Sequence, residues 1–277
     1  MLYETNRELI SEITDRMLNK SNQVSKETGF IQIDHLTGGF EGGQLVVMGG
    51  RPAMGKTTFA CSLVDNVCIN GGKKCVYMSC EYSKEALVDR LIHVHGRIKC
   101  NDLDLDRISN SASDIVDAPL WIDDTPALDV EDMYKKCREI SKTGPIEYVI
   151  VDYIQLVGHS RSQHSSLIKV QEEVLRRLKE MAVELNCVVF VLSQLNRSAE
   201  RRKKHFPIVA DFPSHDALDM YADIILLLYR AHYYYTKEDE GLSTVFVARS
   251  KAKCGLGTTI RFCPEVPCFE EDLWRTD

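Results

Sequence analysis

The chain has 277 residues, 44% of them hydrophobic and 27% charged, with a net charge of −7. That length supports one large domain or two small ones with a proper core, and the apolar content is too high for a disordered chain. The acidic balance excludes a broadly basic surface of the kind that coats nucleic acid, although it leaves room for a local basic patch.

Residues 1–20 read as an amphipathic helix, with Ile10, Ile13 and Met17 recurring at helical spacing among charges. The mixture of acids and bases leaves no apolar signal core, so secretion is not expected. Residues 21–28 are polar and read as a linker. The first helix either packs on its own domain or reaches a neighbouring subunit, and the sequence leaves both open. No uncharged apolar run reaches the roughly 18 residues that a transmembrane helix needs, so no membrane association is expected. None of the 10 cysteines forms a C-x-x-C pair, and several sit in apolar runs such as Cys75-Val-Tyr77. A chain of this length needs no disulfide framework, which points to reduced thiols and a cytoplasmic protein.

From Gly29 onward, apolar strands alternate with helices. Strands are predicted at Gln44–Gly49, Lys74–Ser79, Leu120–Ile122, Tyr148–Val151, Cys187–Leu192 and Ile224–Tyr229. Helices are predicted at Lys56–Asn70, Lys84–Arg97, Val130–Lys142 and Leu167–Leu185. Continuous apolar strands separated by helices predict an α/β fold with a mostly parallel twisted sheet flanked on both faces. Short strands at Thr244–Ala248 and Thr258–Phe262, around a Gly-containing turn, predict a C-terminal β-hairpin. Neither Asn101–Asp117 nor Gly158–Ser166 carries a usable pattern.

Gly50-Arg51-Pro52-Ala53-Met54-Gly55-Lys56-Thr57 satisfies G-x-x-x-x-G-K-[ST] between an apolar strand and a helix. Glycines let backbone N–H groups wrap phosphates, and the helix aims its positive end at the same charge. Lys56 is expected on the β- and γ-phosphates and Thr57 on Mg²⁺; Thr58 belongs to the same binding segment. Tyr148–Asp152 is an apolar strand ending in an acid, which places Asp152 beside the loop as a second Mg²⁺ support. Glu81 ends another strand. From spacing alone it is either the carboxylate that orients the attacking water or an acid favourable to the next helix dipole. Gln194 ends a third strand, where a neutral amide can bond the γ-phosphate and sense hydrolysis. The basic run from Arg197 to Lys204 reads as a solvated loop.

Together these segments resemble the motor domain of DnaB-type replicative hexameric helicases, within the RecA-like P-loop ATPases. The likeness runs from about Thr28 to Phe262. It is carried by Thr28–Asp34, Leu36–Phe40, Arg51-Pro52-Ala53-Met54, Tyr77–Glu81 with Leu87, Arg90 and Leu91, Asp152–Leu156, Ser193–Arg197, Ala222–Leu226 and Tyr229-Arg230. The resemblance implies that Glu81 is the hydrolytic carboxylate. It implies ATP and Mg²⁺ as ligands, a homo-oligomeric, hexameric ring with ATP between neighbours, and single-stranded DNA in the channel. It divides the chain into residues 1–28, a helix and linker, and residues 29–277, the ATPase domain.

Three departures from the family pattern stand out. The family's large N-terminal domain, which meets primase, has no counterpart in the 28 residues ahead of Gly29, so primase binding is not expected of this segment. In the family's DNA-binding loop an Arg and a Gly occupy the positions of Pro213 and Asp216; Pro donates no backbone hydrogen bond and Asp repels phosphate, so none of that loop's DNA contacts is carried over. The family's Lys-x-Arg before a Gly becomes Lys251-Ala252-Lys253-Cys254-Gly255. Both lysines are expected to act in trans on a neighbour's γ-phosphate, with Lys253 keeping the charge of an arginine finger but not its planar fork. The expected function is an ATP-dependent DNA helicase or translocase in replication. The alternative is a non-motor ATP-binding adaptor that assembles with a replicative helicase.

Overall fold

A computed structural model of the protein describes residues 26–126, 128–158 and 167–272. The helix expected over residues 1–20 and nearly all of the linker after it lie outside the described residues. In chain order the elements are α1 (Ile31–Thr37), β1 (Leu45–Gly50), α2 (Lys56–Val64), β2 (Cys75–Ser79), α3 (Lys84–Gly96), α4 (Leu105–Asp117), β3 (Leu120–Asp123), α5 (Val130–Ser141), β4 (Tyr148–Asp152), α6 (Leu167–Leu185), β5 (Val188–Gln194), α7 (His215–Tyr221), β6 (Ile224–Tyr229), β7 (Leu242–Arg249), β8 (Leu256–Cys263) and β9 (Cys268–Glu271).

Among the described residues one nine-stranded sheet runs in the order β3-β2-β4-β5-β1-β6-β7-β8-β9. Strands β1 to β6 are parallel, and β7, β8 and β9 continue antiparallel from β6. The predicted hairpin is β7–β8, and β9 extends it by one strand. Every residue of β1, β2, β4 and β6 is buried, as strands covered on both faces require. Strand β7 instead alternates between buried and half-buried positions.

Successive side chains of one strand enter opposite cores. Val188, Phe190 and Leu192 of β5 join Phe30 just ahead of α1, Ile33 of α1, Phe59 and Leu63 of α2 and Leu87 of α3. Val189 and Val191 face Met133 of α5, Leu175 and Leu178 of α6 and Leu218 of α7. Phe59 stacks on Phe30 at 4.8 Å and on Phe190 at 6.0 Å between ring centroids, tying α2 to the sheet through rings. After β1 the chain passes beyond β5 and β4 to reach β2. This opens a crevice at the carboxyl edge of the strands, where open α/β sheets bind ligands.

Helix α4 falls in the stretch without a readable pattern. Ile108, Ala112 and Ile115 recur at helical spacing and are half-buried, with Ile115 against the core, while Leu105 and Val116, 73% and 82% exposed, blur that stripe in the sequence. It starts on a cap: the Asp104 carboxylate accepts from Arg107 N at 3.1 Å. It packs tightly on α3, where a Cβ added to Gly96 would lie 2.4 Å from Ser111 Oγ. The predicted Lys56–Asn70 helix is α-helical only to Val64 and continues as a π-helical turn, Asp65–Asn70.

The Asp211–Asp216 segment is anchored at its start. Buried Asp211 accepts from Ile208 N at 2.9 Å, Ser198 Oγ at 2.5 Å and Arg202 Nη1 at 3.0 Å. Burial alone raises its pKa, but the Arg202 ion pair, Ser198 and the Ile208 amide outweigh that and hold it below the usual carboxylate range. Within the basic run, Arg202 is thus a bound structural partner, while Arg197, Arg201, Lys203 and Lys204 are exposed. Asp211→Ala leaves Arg202 and a backbone amide without their acceptor and is expected to cost about 2 kcal/mol, read from the urea midpoint at constant slope.

Candidate nucleotide-binding site

The phosphate-loop motif connects β1 to α2 at the carboxyl edge of the sheet. Gly55 caps α2 at φ +93°, in the left-handed region that favours glycine. A Cβ there would also stand 3.0 Å from the Phe269 ring. Pro52, Ala53, Gly55, Lys56, Thr57 and Thr58 line a cleft of about 290 Å³ together with Glu81, Asp152 and Gln194. Lys56 Nζ donates to the Arg51 carbonyl at 3.1 Å.

Two residues of the predicted binding segment turn their side chains elsewhere. Met54 is buried in the core. Arg51 donates to Leu195 O at 2.6 Å and to Glu200 Oε1 at 2.9 and 2.6 Å, so its guanidinium clamps the segment after β5 and not the cleft. For these two, and for Gly50, the backbone is what remains available to a phosphate. Gly49, just ahead of the motif, lies under Phe212: a Cβ there would meet the ring at 2.3 Å.

Asp152, the last residue of β4, is buried beside the loop. It accepts from Tyr77 OH at 2.8 Å and is hydrogen-bonded to the Thr57 hydroxyl. Burial raises its affinity for a proton, opposed by those two bonds and by the charges of Lys56 and Arg90. A hydroxyl and a carboxylate in contact form a hard-oxygen donor set, which suits Mg²⁺. Glu81 stands between β2 and the Ser83 cap of α3, whose hydroxyl accepts from Ala86 N at 3.3 Å. It precedes the helix and lines the cleft. Desolvation, and then the neighbouring Asp152, raise its pKa above the ordinary value, against the opposing pull of Lys56 and Arg90.

Burial lowers Lys56 to about 8, against the opposing pull of Asp152 and Glu81. The free protein therefore begins to lose this ammonium charge near pH 8, whereas bound polyphosphate holds the proton on. Nucleotide affinity is expected to be level below pH 8 and to fall above it by up to about tenfold per pH unit. Calorimetric titration with ATP between about pH 7 and about pH 9.5 checks this, and constant affinity across the range contradicts it.

Gln194 is held from behind. Its backbone N–H donates to Gln155 Oε1 at 3.1 Å, and Gln155 Nε2 donates to Ser193 Oγ at 2.9 Å and to Gln194 O at 3.2 Å. Gln155 thereby couples the segment after Asp152 to the end of β5. Sequence reasoning assigned no role to Gln155, Arg90, Arg230 or Phe262. Arg90 stands over the Tyr82 ring at 5.0 Å, and Arg230 over the Phe262 ring at 3.7 Å. All four of these cation–π partners line the cleft, and a flat guanidinium–aromatic pair suits the face of a nucleobase. Gln155, Arg90 and Arg230 stand in motif segments already quoted, but only the tertiary arrangement brings Arg90 and Arg230 to the cleft and Gln155 behind Gln194.

Lys251 and Lys253 are exposed in the turn after β7. Because β7 is antiparallel and Arg249 pairs with Ile225 at the start of β6, this turn lies at the amino edge of the parallel strands. The phosphate loop is at the carboxyl edge. Neither lysine is near the cleft of its own chain, and the turn packs by Ala252 against Gly38, just after α1. Among the described residues no helix is long and apolar enough to cross a membrane.

Residues 26–271 match the family model of the DnaB-like helicase C terminal domain. The replicative DNA helicase DnaB of Geobacillus stearothermophilus is 32% identical over 84% of this chain and 53% of its own length. The replicative DNA helicase DnaC of Bacillus subtilis is 31% identical over 82% of this chain and 52% of its own. The chain spans about half the length of these curated relatives. Among solved structures, an ATPase domain superposes with a TM-score of 0.90 at 26% identity, covering 98% of this chain and 99% of that one. A DnaB-like replicative helicase studied for its interactions with primase gives 0.86 at 26% identity, over 98% of this chain and 67% of that one. The RadB recombinase, at 21% identity and a TM-score of 0.58, shares the RecA-like fold.

Proposed function

We propose, on the premise that the chain belongs to the DnaB-like helicase C-terminal domain family, that it hydrolyses ATP as the motor of a replicative DNA helicase. The observation that carries this is the convergence of Lys56, Thr57, Glu81, Asp152 and Gln194 on one cleft, with Lys251 and Lys253 on the opposite edge of the sheet. Backbone amides of Gly50–Thr57 and the Lys56 ammonium hold the triphosphate. Thr57 and Asp152 would hold Mg²⁺, which when bound neutralises charge on the β- and γ-phosphates. Glu81 orients a water and takes its proton as the oxygen attacks. Gln194, fixed by Gln155, bonds the γ-phosphate and changes partner when it leaves.

Cleft and lysines at opposite edges favour a closed ring in which the Lys251–Lys253 turn of one copy reaches the phosphates of the next. A hexamer, cytoplasmic and threaded by single-stranded DNA, is the assembly this reading takes from its family. Pro213, half-buried, and Asp216, exposed, favour a second outcome: a non-motor adaptor whose ATP site controls assembly with a resident helicase. ATPase rates with and without single-stranded DNA at two salt concentrations, paired with mass measurement in ATP, separate the two. Stimulation by DNA that weakens steeply with salt supports the motor. Turnover indifferent to DNA supports the adaptor.

A further inference from the structure

The turn joining β8 to β9 reads Cys263-Pro-Glu-Val-Pro-Cys268, with Glu270 two residues on. Cys263 and Cys268 are direct cross-strand partners. One ligand atom from each of Cys263, Cys268 and Glu270 lies within 4.8 Å of the others. Alternation along β9 explains the third member: Cys268 and Glu270 share a face, and their Sγ and Oε1 are 3.9 Å apart. The C-x₄-C spacing lies within the range of zinc-binding turns, and prolines at 264 and 267 restrict the backbone that carries the thiols. Arg97, from the end of α3, places Nε 3.3 Å from Glu270 Oε1.

We propose that Cys263, Cys268 and Glu270 form a site for a soft divalent cation of the zinc type, with Arg97 as its outer partner. Two sulfurs and a carboxylate give three of the four tetrahedral positions that such an ion prefers. Cys263 and Glu270 are only half-buried, so solvent can reach the fourth. Binding releases both thiol protons to solvent. Two thiolates and a carboxylate exceed the charge of the ion by one, and the Arg97 guanidinium offsets that excess while fixing the carboxylate's orientation. A disulfide is the chemistry that competes for the same sulfurs, and it makes no use of the Glu270 carboxylate, which then only pairs with Arg97.

The site lies next to the nucleotide cleft without belonging to it. Phe262, adjacent to Cys263, lies beneath Arg230 at 3.7 Å. Phe269, adjacent to Cys268, packs on Phe59 at 5.9 Å and against Gly55. An ion clipping the strand ends together therefore braces both rings.

The test uses the full chain, reduced with a non-thiol reductant and titrated with Co²⁺ as a spectroscopic probe. One equivalent is expected to bind with thiolate-to-metal charge-transfer absorption and to be displaced by Zn²⁺. Cys263→Ser and Glu270→Gln are each expected to weaken binding at least about tenfold, and Arg97→Ala by about 10–100-fold. Cys254→Ser, at an exposed cysteine elsewhere, is expected to leave it unchanged. Cys268 is fully buried, so the half-buried Cys263 and Glu270 carry the test if its serine variant does not fold. Absence of the absorption at millimolar Co²⁺, an unaltered spectrum in Cys263→Ser, or a Cys263–Cys268 disulfide persisting in the reductant overturns the proposal. None of these readouts depends on ATP turnover, so the ATPase reading stands or falls separately.

Discussion

Glu81→Gln is expected to leave ATP affinity within about threefold while lowering steady-state turnover by about 10³-fold, within the range of lost general-base catalysis. The amide keeps the size and one hydrogen-bonding oxygen of the carboxylate but cannot accept the water's proton. Glu81 sits ahead of the α3 cap, at the cleft with Lys56, Asp152 and Arg90, so its removal disturbs no helix terminus. A second readout follows from electrostatics. Glu81 is one of the two carboxylates that help keep Lys56 charged. Neutralising it is therefore expected to move the pH at which nucleotide affinity begins to fall below 8, where the wild-type transition lies. Single-turnover hydrolysis at saturating ATP checks the chemistry, and turnover above a tenth of wild type would place the base elsewhere.

The other large effect is in trans. Lys253→Ala is expected to lower turnover by about 10³-fold, the lower end of what such fingers contribute, with ATP binding kept. Lys56→Ala is expected to lose both. Because these lysines lie at opposite edges of the sheet, a mixture of the two inactive variants forms some interfaces with an intact loop from one copy and an intact turn from the next. Mixing is thus expected to restore a fraction of wild-type turnover, measured by titrating one variant into the other. Two variants that remain inactive at every ratio, while still co-assembling, would show that Lys253 does not act across the interface. Lys253→Arg restores the planar fork and is expected to match or exceed wild type.

Much of the cleft was legible from residue order because its parts are local. A glycine-rich turn between a buried strand and a helix is a short-range pattern, and an acid after an apolar run lands at the same sheet edge whenever the strands are parallel. The residues that went unassigned act over longer separations. Gln155 reaches β5, 39 positions away, and Arg230 meets Phe262 across β7 and β8. Arg51 illustrates the converse. Its place in the motif says phosphate, yet its side chain is spent on Leu195 and Glu200, well over a hundred residues on. Helix α4 escaped because its inner stripe is thin, Ile108, Ala112 and Ile115 with Ser111 buried among them, and exposed Leu105 and Val116 lie outside it.

By itself, then, residue order determined the α/β class, the strand-by-strand apolar core, the phosphate loop, the acid that ends β4 and the acid just beyond β2, because backbone periodicity and main-chain geometry are properties of adjacent residues. Only the tertiary structure decided the strand order and which side chains meet across it. It set Lys251 and Lys253 at the edge away from their own cleft, and it drew Cys263, Cys268, Glu270 and Arg97 together. Those relations depend on how strands separated by tens of residues pair and turn, a choice made by collective burial of both sheet faces and not by any one segment.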